Sequence, residues 1–223
     1  MPAEEAVDHT SPSTSRALVI AGGDLGVELP PRDGVVVIAA DSGYDAAMAA
    51  GLDVDVLVGD LDSLSSAAAE HAASHGVVVE QHPPDKDNTD LDLALRSAVG
   101  RGAMVIDLYG GEGGRLDHLL GGALLLTSDA FPGTRIRWHV AGGTVHVVRP
   151  YVSAAIHGSP GDVVSILAPH GARGVTATGL RWSLEDADLA SGSSLGISNE
   201  VVSPLCSVSV GEGTLLVIHT RSQ

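Results

Sequence analysis

Apolar residues in the first half of the chain occur either in short continuous runs or in helical stripes. Residues 17–20 and 35–38 are continuous apolar runs bounded by Gly, Asp and Pro, as in strands buried on both faces of a parallel sheet. Two helical stripes follow later: Leu91, Ala94, Leu95 and Ala98, then Leu116, Leu119, Leu120, Ala123 and Leu124. Asp87 or Asn88 is a suitable N-cap for the first of these helices. The pattern predicts a doubly wound α/β domain with a mostly parallel sheet over residues 16–132.

The pattern changes after Gly133. Polar and apolar residues alternate at 135–140 and 144–148, and Gly and Pro interrupt the chain about every ten residues. Further short strands are predicted at 163–167, 174–177, 206–210 and 214–219. This texture predicts an all-β sandwich over residues 133–223, with the boundary near 131–134. The polar, acidic residues 1–15 are predicted to form a flexible tail.

Composition and charge narrow the possible functions. The chain has 223 residues, of which 44% are hydrophobic, and a formal net charge of −16. That charge argues against non-specific nucleic-acid binding, which depends on Lys and Arg at phosphates. No apolar run approaches the roughly 20 residues that span a bilayer. The N-terminus lacks the pattern of a signal peptide, so a cytoplasmic protein is expected. The single cysteine, Cys206, lies in an apolar alternating run and is expected to be a core residue.

Acidic clusters follow several of the predicted strands. They occupy residues 59–63, 85–90 and 113–118, and Asp41 ends the second apolar run. Because the carboxyl ends of parallel strands meet at one edge of a sheet, these carboxylates are expected to lie together. They would repel one another unless a cation lay between them, and a hard divalent cation with oxygen ligands commonly also bridges to phosphates. The clusters therefore predict metal-assisted phosphoryl chemistry.

Each signal has an ordinary structural explanation when it is taken alone. Asp60 and Asp62 are common turn residues, and Asp90 would be favoured in the first turn of any helix. A glycine-rich segment before a helix, here residues 110–114, is common without a ligand, and neither a P-loop nor a Gly-x-Gly-x-x-Gly motif is present. Lys86, the only lysine of the chain, is either a surface residue or a phosphate contact, and its acidic surroundings favour the second.

The motifs become specific when they are taken together. Their order is Asp-Ser-Gly at 41–43, Gly-Asp-Leu-Asp-Ser at 59–63, Asp-Asn-Thr-Asp at 87–90 and Gly-Arg-Leu-Asp-His at 114–118. This order resembles the catalytic domain of the thiamine pyrophosphokinase (thiamin diphosphokinase) family. Residues 179–184 and 194–200 resemble the thiamine-binding β-sandwich of the same family. The resemblance extends from about residue 17 to residue 219.

The resemblance implies an activity, a cofactor and a set of site residues. The reaction would be ATP + thiamine → AMP + thiamine diphosphate, with Mg²⁺ as cofactor and a site at the interface of a homodimer. The implied metal ligands are Asp41, Asp60, Asp62 and Asp90. The implied phosphate neighbours are Asp41, Lys86, Thr89 and Arg115, and the implied catalytic residues are Asp60, Asp62, Asp90, Arg115 and Asp117. Either Asp90 or Asp117 would accept the proton of the thiamine hydroxyl.

The second half of the chain would supply the thiamine pocket. The resemblance implies contacts from Trp182, Ser198 and Asn199. A thiazolium cation suits an aromatic face, and Ser and Asn offer hydrogen bonds to an aminopyrimidine.

The sequence departs from the family in one helix. Gly121 and Gly122 stand where many members have an asparagine, and each helical glycine costs on the order of 1 kcal/mol. The acidic motifs also occur in proteins with two other functions. A phosphatase of the haloacid-dehalogenase type would need Asp-x-Asp-x-Thr near its first strand, and no such motif lies near the first apolar run at residues 17–20. A non-catalytic thiamine- or nucleotide-binding protein would have no need of so many carboxylates.

Overall fold

The computed structural model describes residues 16–62, 64–113 and 115–222. The tail predicted for residues 1–15 lies outside the described residues, as do Ser63 and Gly114 of the acidic motifs. The helices are α1 (Gly43–Ala49), α2 (Ser66–Ser74), α3 (Asp90–Gly100) and α4 (Leu116–Leu125). Among the residues that the structure describes, no helix has the length and apolar character needed to cross a membrane.

The strands fall into two groups along the chain. The first group is β1 (Arg16–Ile20), β2 (Val36–Ala40), β3 (Val56–Gly59), β4 (Val78–Gln81), β5 (Val105–Tyr109) and β6 (Arg135–Val140). The second group is β7 (Gly143–Val148), β8 (Ala154–His157), β9 (Val163–Leu167), β10 (Ala172–Thr178), β11 (Leu184–Leu189), β12 (Asn199–Glu200), β13 (Leu205–Ser209), β14 (Glu212–Gly213) and β15 (Leu215–Thr220).

The first six strands are parallel and lie in the order β4-β3-β2-β1-β5-β6. Successive side chains of a strand point to opposite faces of the sheet. Val19 packs in the same cluster as Leu95 of α3, whereas Leu18 packs in the cluster that contains Tyr44 of α1 and Ala68 of α2. Helices therefore cover both faces, which explains why the inner strands β2 and β3 are apolar along their whole length.

The sheet continues beyond the predicted domain boundary. β6 pairs in parallel with β5 and antiparallel with β7, and β15, β9 and β12 follow, giving ten strands in the described chain. The sheet is thus mixed, and the predicted boundary at 131–134 lies in the connection between α4 and β6. Arg137 and His139 alternate with the buried Ile136 and Trp138, which gave β6 the texture of a sandwich strand. The division into two domains at this position stays a prediction.

A second, antiparallel sheet packs against the antiparallel part of the first. Its order is β11-β10-β13-β8, with β14 beside β10. The core between the two sheets includes Val217 of β15, Ile166 of β9, Val175 of β10 and Cys206 of β13. Cys206 is fully buried, as expected, and its thiol donates to the carbonyl of Gly179 at 3.2 Å. The prediction of an α/β part followed by antiparallel strands is therefore confirmed at this coarser level.

An ion-pair network centred on the buried Asp107 connects three strands of the large sheet. Asp107 of β5 is 1% exposed, and it binds Arg16 of β1 at 2.9 Å and Arg137 of β6 at 2.7 Å. His139 of β6 contacts the same carboxylate at 2.9 Å. Burial alone would raise the pKa of Asp107, but the hydrogen bonds from His139 and Arg137 outweigh burial and hold the pKa well below its usual range. The network fixes β6 to the parallel part of the sheet.

Candidate active site

Three carboxylates meet where two parallel strands end. Asp41 follows β2 and Asp60 follows β3, and the backbone N–H of Asp41 donates to the carbonyl of Val58 at 2.9 Å. Asp62 completes the group, in which one carboxylate oxygen of each residue lies within 4.8 Å of the others. The structure thus brings together three of the four predicted metal ligands. Their position outside the carboxyl ends of the strands is where α/β proteins commonly bind ligands.

Gly59 makes room for the fourth predicted ligand. A Cβ atom at Gly59 would lie 3.2 Å from Oδ1 of Asp90 and 3.3 Å from Cβ of Asp41. Gly59 also has a φ of +152°, which an L side chain rarely adopts. The glycine therefore allows Asp90, at the start of α3, to approach the end of β2. Asp41 itself has a φ of +49°, an uncommon conformation that tends to occur at functional sites.

Lys86 lies between two of these carboxylates. Its Nζ is 3.2 Å from Oδ2 of Asp60 and 2.8 Å from Oδ1 of Asp90. Burial alone would lower the pKa of Lys86, but the hydrogen bonds to Asp90 and Asp60 outweigh burial and the pKa is raised. The lysine is therefore charged at neutral pH. Asp90 is bonded to Lys86 and is not one of the three carboxylates that lie within 4.8 Å of one another.

Asp60 and Asp62 influence each other's protonation. The backbone N–H of Asp62 donates to Oδ1 of Asp60 at 3.2 Å, and this bond lowers the pKa of Asp60. The carboxylate of Asp60, through a side-chain hydrogen bond and through like-charge repulsion, raises the pKa of Asp62. A cation between the two carboxylates would remove this repulsion. The donor set consists of carboxylate oxygens, so the residues fit a hard divalent cation such as Mg²⁺.

Thr89 directly precedes α3 and differs from the residues predicted to cap this helix. Its hydroxyl oxygen accepts a hydrogen bond from the backbone N–H of Asp92 at 3.2 Å, which makes Thr89 the N-cap. The prediction of Asp87 or Asn88 as N-cap is wrong. The side chain of Asn88 instead donates to the carboxylate of Asp92, which Arg96 also binds at 2.8 Å.

Arg115 and Asp117 lie at the start of α4, after the glycine-rich segment. Arg115 donates two hydrogen bonds to Asp117, at 3.1 and 2.6 Å, and the side chains are 69% and 64% exposed. The hydrogen bonds from Arg115 lower the pKa of Asp117 to about 2. The structure thus pairs these two predicted site residues with each other.

A glycine-containing turn after β1 was missed in the sequence. The N–H of Asp24 donates to the carbonyl of Glu112, and the N–H of Gly111 donates to the carbonyl of Gly22, both at 2.8 Å. Trp138 of β6 fixes this double turn by donating its indole N–H to the carbonyl of Gly110 at 2.7 Å. The turns extend the strand edge that carries the carboxylates. The available signal was a Gly-Gly-Asp sequence directly after the first apolar run.

The three predicted thiamine contacts lie together in the second half of the chain. Trp182 is 57% exposed, with the guanidinium of Arg181 over its ring at 5.4 Å. Asn199 is 3% exposed and holds the backbone of Trp182 with two hydrogen bonds. Ser198 is exposed, has a φ of +57° and donates its backbone N–H to the hydroxyl of Ser165 at 3.0 Å. Trp182 and Ser198 can face a ligand, whereas the side chain of Asn199 positions Trp182.

The fold and the acidic site define the class of protein. An α/β part that carries a cluster of carboxylates is followed by antiparallel strands in two packed sheets. Residues 32–137 match the family described as thiamin pyrophosphokinase, catalytic domain. Residues 146–215 match the thiamin pyrophosphokinase vitamin B1 binding domain. The chain belongs to the thiamin pyrophosphokinase family, as the sequence motifs predicted.

Known proteins of this family are similar over most of the chain. The thiamine pyrophosphokinase of Bacillus subtilis (strain 168) is 27% identical over 184 residues, which are 82% of this chain and 86% of the relative. The crystal structure of thiamine pyrophosphokinase from Bacillus subtilis superposes with a TM-score of 0.80 at 26% identity, covering 93% of this chain and all of that one. A thiamin pyrophosphokinase family protein from Enterococcus faecalis gives a TM-score of 0.78 at 26% identity, covering 94% of this chain and all of that one.

Proposed function

We propose that this protein transfers the pyrophosphoryl group of ATP to the hydroxyl of thiamine, producing thiamine diphosphate and AMP. The observation that carries the proposal is the cluster of Asp41, Asp60 and Asp62, which lies at the strand edge of the part that matches the catalytic domain. The following part matches the vitamin B1 binding domain. The family comparisons give no support to a phosphatase of the haloacid-dehalogenase type. A cytoplasmic location, where ATP is available, is part of the proposal.

Mg²⁺ is the cation we propose for the acidic cluster. Asp41, Asp60 and Asp62 would hold it, with Asp90 beside them, and the bound cation would neutralise charge on the phosphates of ATP. The cluster favours a bound cation, because several carboxylates at short range repel one another when no positive charge lies between them. Without the cation, the net charge of −16 opposes binding of a polyanionic nucleotide.

The chain's own residues would position ATP and move one proton. Arg115 and Lys86 can donate charge-assisted hydrogen bonds to phosphate oxygens, and the N-terminus of α3, at Thr89, points backbone N–H groups toward the same edge. Asp90 and Asp117 are the two candidate proton acceptors. Each is paired with a cation, Asp90 with Lys86 at 2.8 Å and Asp117 with Arg115 at 2.6 Å, so either residue has to leave that pair before it accepts a proton.

Thiamine would bind to the Trp182 face of a second copy of the chain. β12, which carries Asn199, and β2, which ends beside Asp41, are seven strand positions apart in the large sheet. At about 4.8 Å per strand this is roughly 34 Å along the sheet. A site that combines Trp182 and Ser198 with the acidic cluster therefore needs residues from two chains. We propose a homodimer on this ground, with the thiazolium cation against the exposed indole of Trp182.

The proposed function is tested by measuring the formation of AMP. Purified protein is incubated with ATP and thiamine, with and without Mg²⁺, and nucleotides are separated by chromatography. We expect AMP to appear only when ATP, thiamine and Mg²⁺ are all present. Release of inorganic phosphate without thiamine is the result that a phosphatase would give. That result, or an absence of thiamine-dependent AMP, would contradict the proposal.

A further inference from the structure

The only lysine of the chain bridges Asp60, a proposed cation ligand, and the neighbouring Asp90. The Nζ of Lys86 lies 3.2 Å from Asp60 and 2.8 Å from Asp90, on one oxygen of each carboxylate. The side chains of Lys86 and Asp60 are only 13% and 14% exposed. The ammonium is thus largely withdrawn from water and forms ion pairs with these two oxygens.

The position of this ammonium determines what else can bind there. A divalent cation that takes the same oxygens of Asp60 and Asp90 would meet a positive charge at hydrogen-bond distance. We propose that Lys86 is an internal counter-ion that holds Asp60 and Asp90 in place in the nucleotide-free protein and competes with the divalent cation for their oxygens. This inference rests on the proposed function, because it requires that the acidic cluster binds such a cation.

The lysine side chain is suited to such an exchange. It is a compact charge on a flexible four-carbon stem, so it can leave the carboxylates without movement of the backbone. An ammonium released in this way remains beside the strand edge, where an incoming phosphate can accept its hydrogen bonds. Lys86 then couples cation loading to nucleotide binding. It acts on the cation as a positioning residue, through Asp60 and Asp90.

This role and a simple phosphate contact predict different changes in cation affinity when Lys86 is removed. If Lys86 only contacts phosphate, its removal leaves cation affinity unchanged when no nucleotide is present. If Lys86 competes for the carboxylates, its removal strengthens cation binding to the nucleotide-free protein. The two roles are therefore separated by one binding measurement that does not depend on activity.

The measurement uses Mn²⁺ alone as the probe. Its dissociation constant is determined by calorimetry for the full chain and for Lys86→Met, which keeps a side chain of similar length without the charge. We expect the Kd for Mn²⁺ to fall about tenfold in Lys86→Met, the equivalent of losing one ion-pair competitor. Mn²⁺ should also raise the melting temperature more in Lys86→Met than in the unmodified chain.

Arg101→Met is the matched control. Arg101 follows the end of α3 and pairs with Glu80 at 2.6 Å, so the variant loses the same charge far from the start of the helix. It should leave the Kd for Mn²⁺ close to that of the unmodified chain. An equal strengthening in both variants would overturn the inference, because only net charge would then matter.

A second measurement needs no variant. Since Lys86 is the only lysine, protein made with lysine carbon-13 labelled at Cε gives a single lysine side-chain NMR signal. We expect this signal to shift as Mg²⁺ is added without nucleotide. An unmoved signal at saturating Mg²⁺, or an equal or higher Kd for Mn²⁺ in Lys86→Met, would overturn this inference and leave the proposed function standing. If neither protein binds Mn²⁺, the proposed metal site fails and the inference fails with it.

Discussion

Asn199 holds the backbone of Trp182 from both sides: its Oδ1 accepts from the N–H of Trp182 at 3.1 Å, and its Nδ2 donates to the carbonyl of Trp182 at 2.7 Å. Because Asn199 is buried and Trp182 is exposed, the pair presents a large aromatic face on a rigid support. An exposed tryptophan held in this way is poorly explained by packing, since its ring contributes little to the core. The arrangement is what a binding face for a flat cation requires.

Removing the aromatic face should affect thiamine and leave ATP largely untouched. We expect Trp182→Ala to raise the KM for thiamine about 5- to 30-fold, in line with a lost cation–aromatic contact of about 1–2 kcal/mol, and to change the KM for ATP less than twofold. Steady-state kinetics with each substrate varied in turn provides the measurement. Trp182→Phe keeps an aromatic face and should lose much less. Equal effects on both substrates would mean that the thiamine site lies elsewhere.

Mixing two inactive variants tests whether the site is shared between chains. Asp60→Asn should abolish turnover at the acidic cluster, and Trp182→Ala combined with Ser198→Trp should block the thiamine face. If the two faces meet across a dimer, unfolding and refolding the variants together produces mixed dimers that carry one intact site. Random mixing should restore about a quarter of the original activity, because half of the dimers are mixed and half of their sites are intact. A mixture as inactive as its parents would place both faces in one chain.

Gly121 and Gly122 of α4 should respond differently to alanine. A Cβ atom at Gly121 would meet nothing within 4 Å, whereas one at Gly122 would lie 3.4 Å from Leu91 and 4.0 Å from Trp138. We expect Gly121→Ala to raise the free energy of unfolding by about 1 kcal/mol, the usual gain for alanine over glycine in a helix. Gly122→Ala should gain more, because its methyl group would also be buried at ordinary van der Waals distance from these two side chains. Urea unfolding of both variants provides the measurement, and a loss of stability in Gly122→Ala would contradict the space described at Gly122.

His146 should make stability fall in mildly acidic solution. Burial, and then the charges of Arg137 and nearby histidines, lower the pKa of His146 from 6.5 to about 4. Between these values the unfolded chain binds a proton that the folded chain does not, so the free energy of unfolding decreases as pH falls from about 6.5 to 4. The contribution of this one group is at most about 3 kcal/mol.

The test compares the unmodified chain with His146→Gln by urea unfolding at several pH values. The variant should lose less stability between pH 7 and 4.5. The buried carboxylate of Asp107 acts in a different range, because its pKa is lowered and its contribution is lost only in more acidic solution. Parallel stability curves for the two proteins would show that His146 does not titrate as described.

The sequence was most informative where functional side chains come directly after a strand. Asp41 and Asp60 could be placed together because each follows a short apolar run, and the ends of parallel neighbours share an edge. The role of Asp107 could not be foreseen, since one Asp in an apolar strand gives no sign of partners such as Arg137, thirty residues later in the chain. β6 was assigned to the sandwich for a related reason. Arg137 and His139, which pair with Asp107, give β6 the alternating polar and apolar pattern of a sandwich strand.

The position of Lys86 marks another limit of the sequence. Its acidic surroundings indicated a role in the site, but the carboxylates that it bridges are twenty-six residues upstream and four residues downstream. Only the turn between β4 and α3 brings both within reach. Likewise, the sequence offered Asn199 as a ligand contact, whereas its burial and its two bonds to Trp182 commit its side chain to the fold.

The most direct test follows the phosphorus atoms of ATP. In separate reactions, ATP labelled with phosphorus-32 at the α or the γ position is incubated with thiamine, Mg²⁺ and the protein, and the products are separated. Attack of the thiamine hydroxyl on the β-phosphorus predicts that the γ label appears in thiamine diphosphate and the α label in AMP. Formation of thiamine monophosphate together with α-labelled ADP would mean that a single phosphoryl group is transferred, and would contradict the proposed reaction.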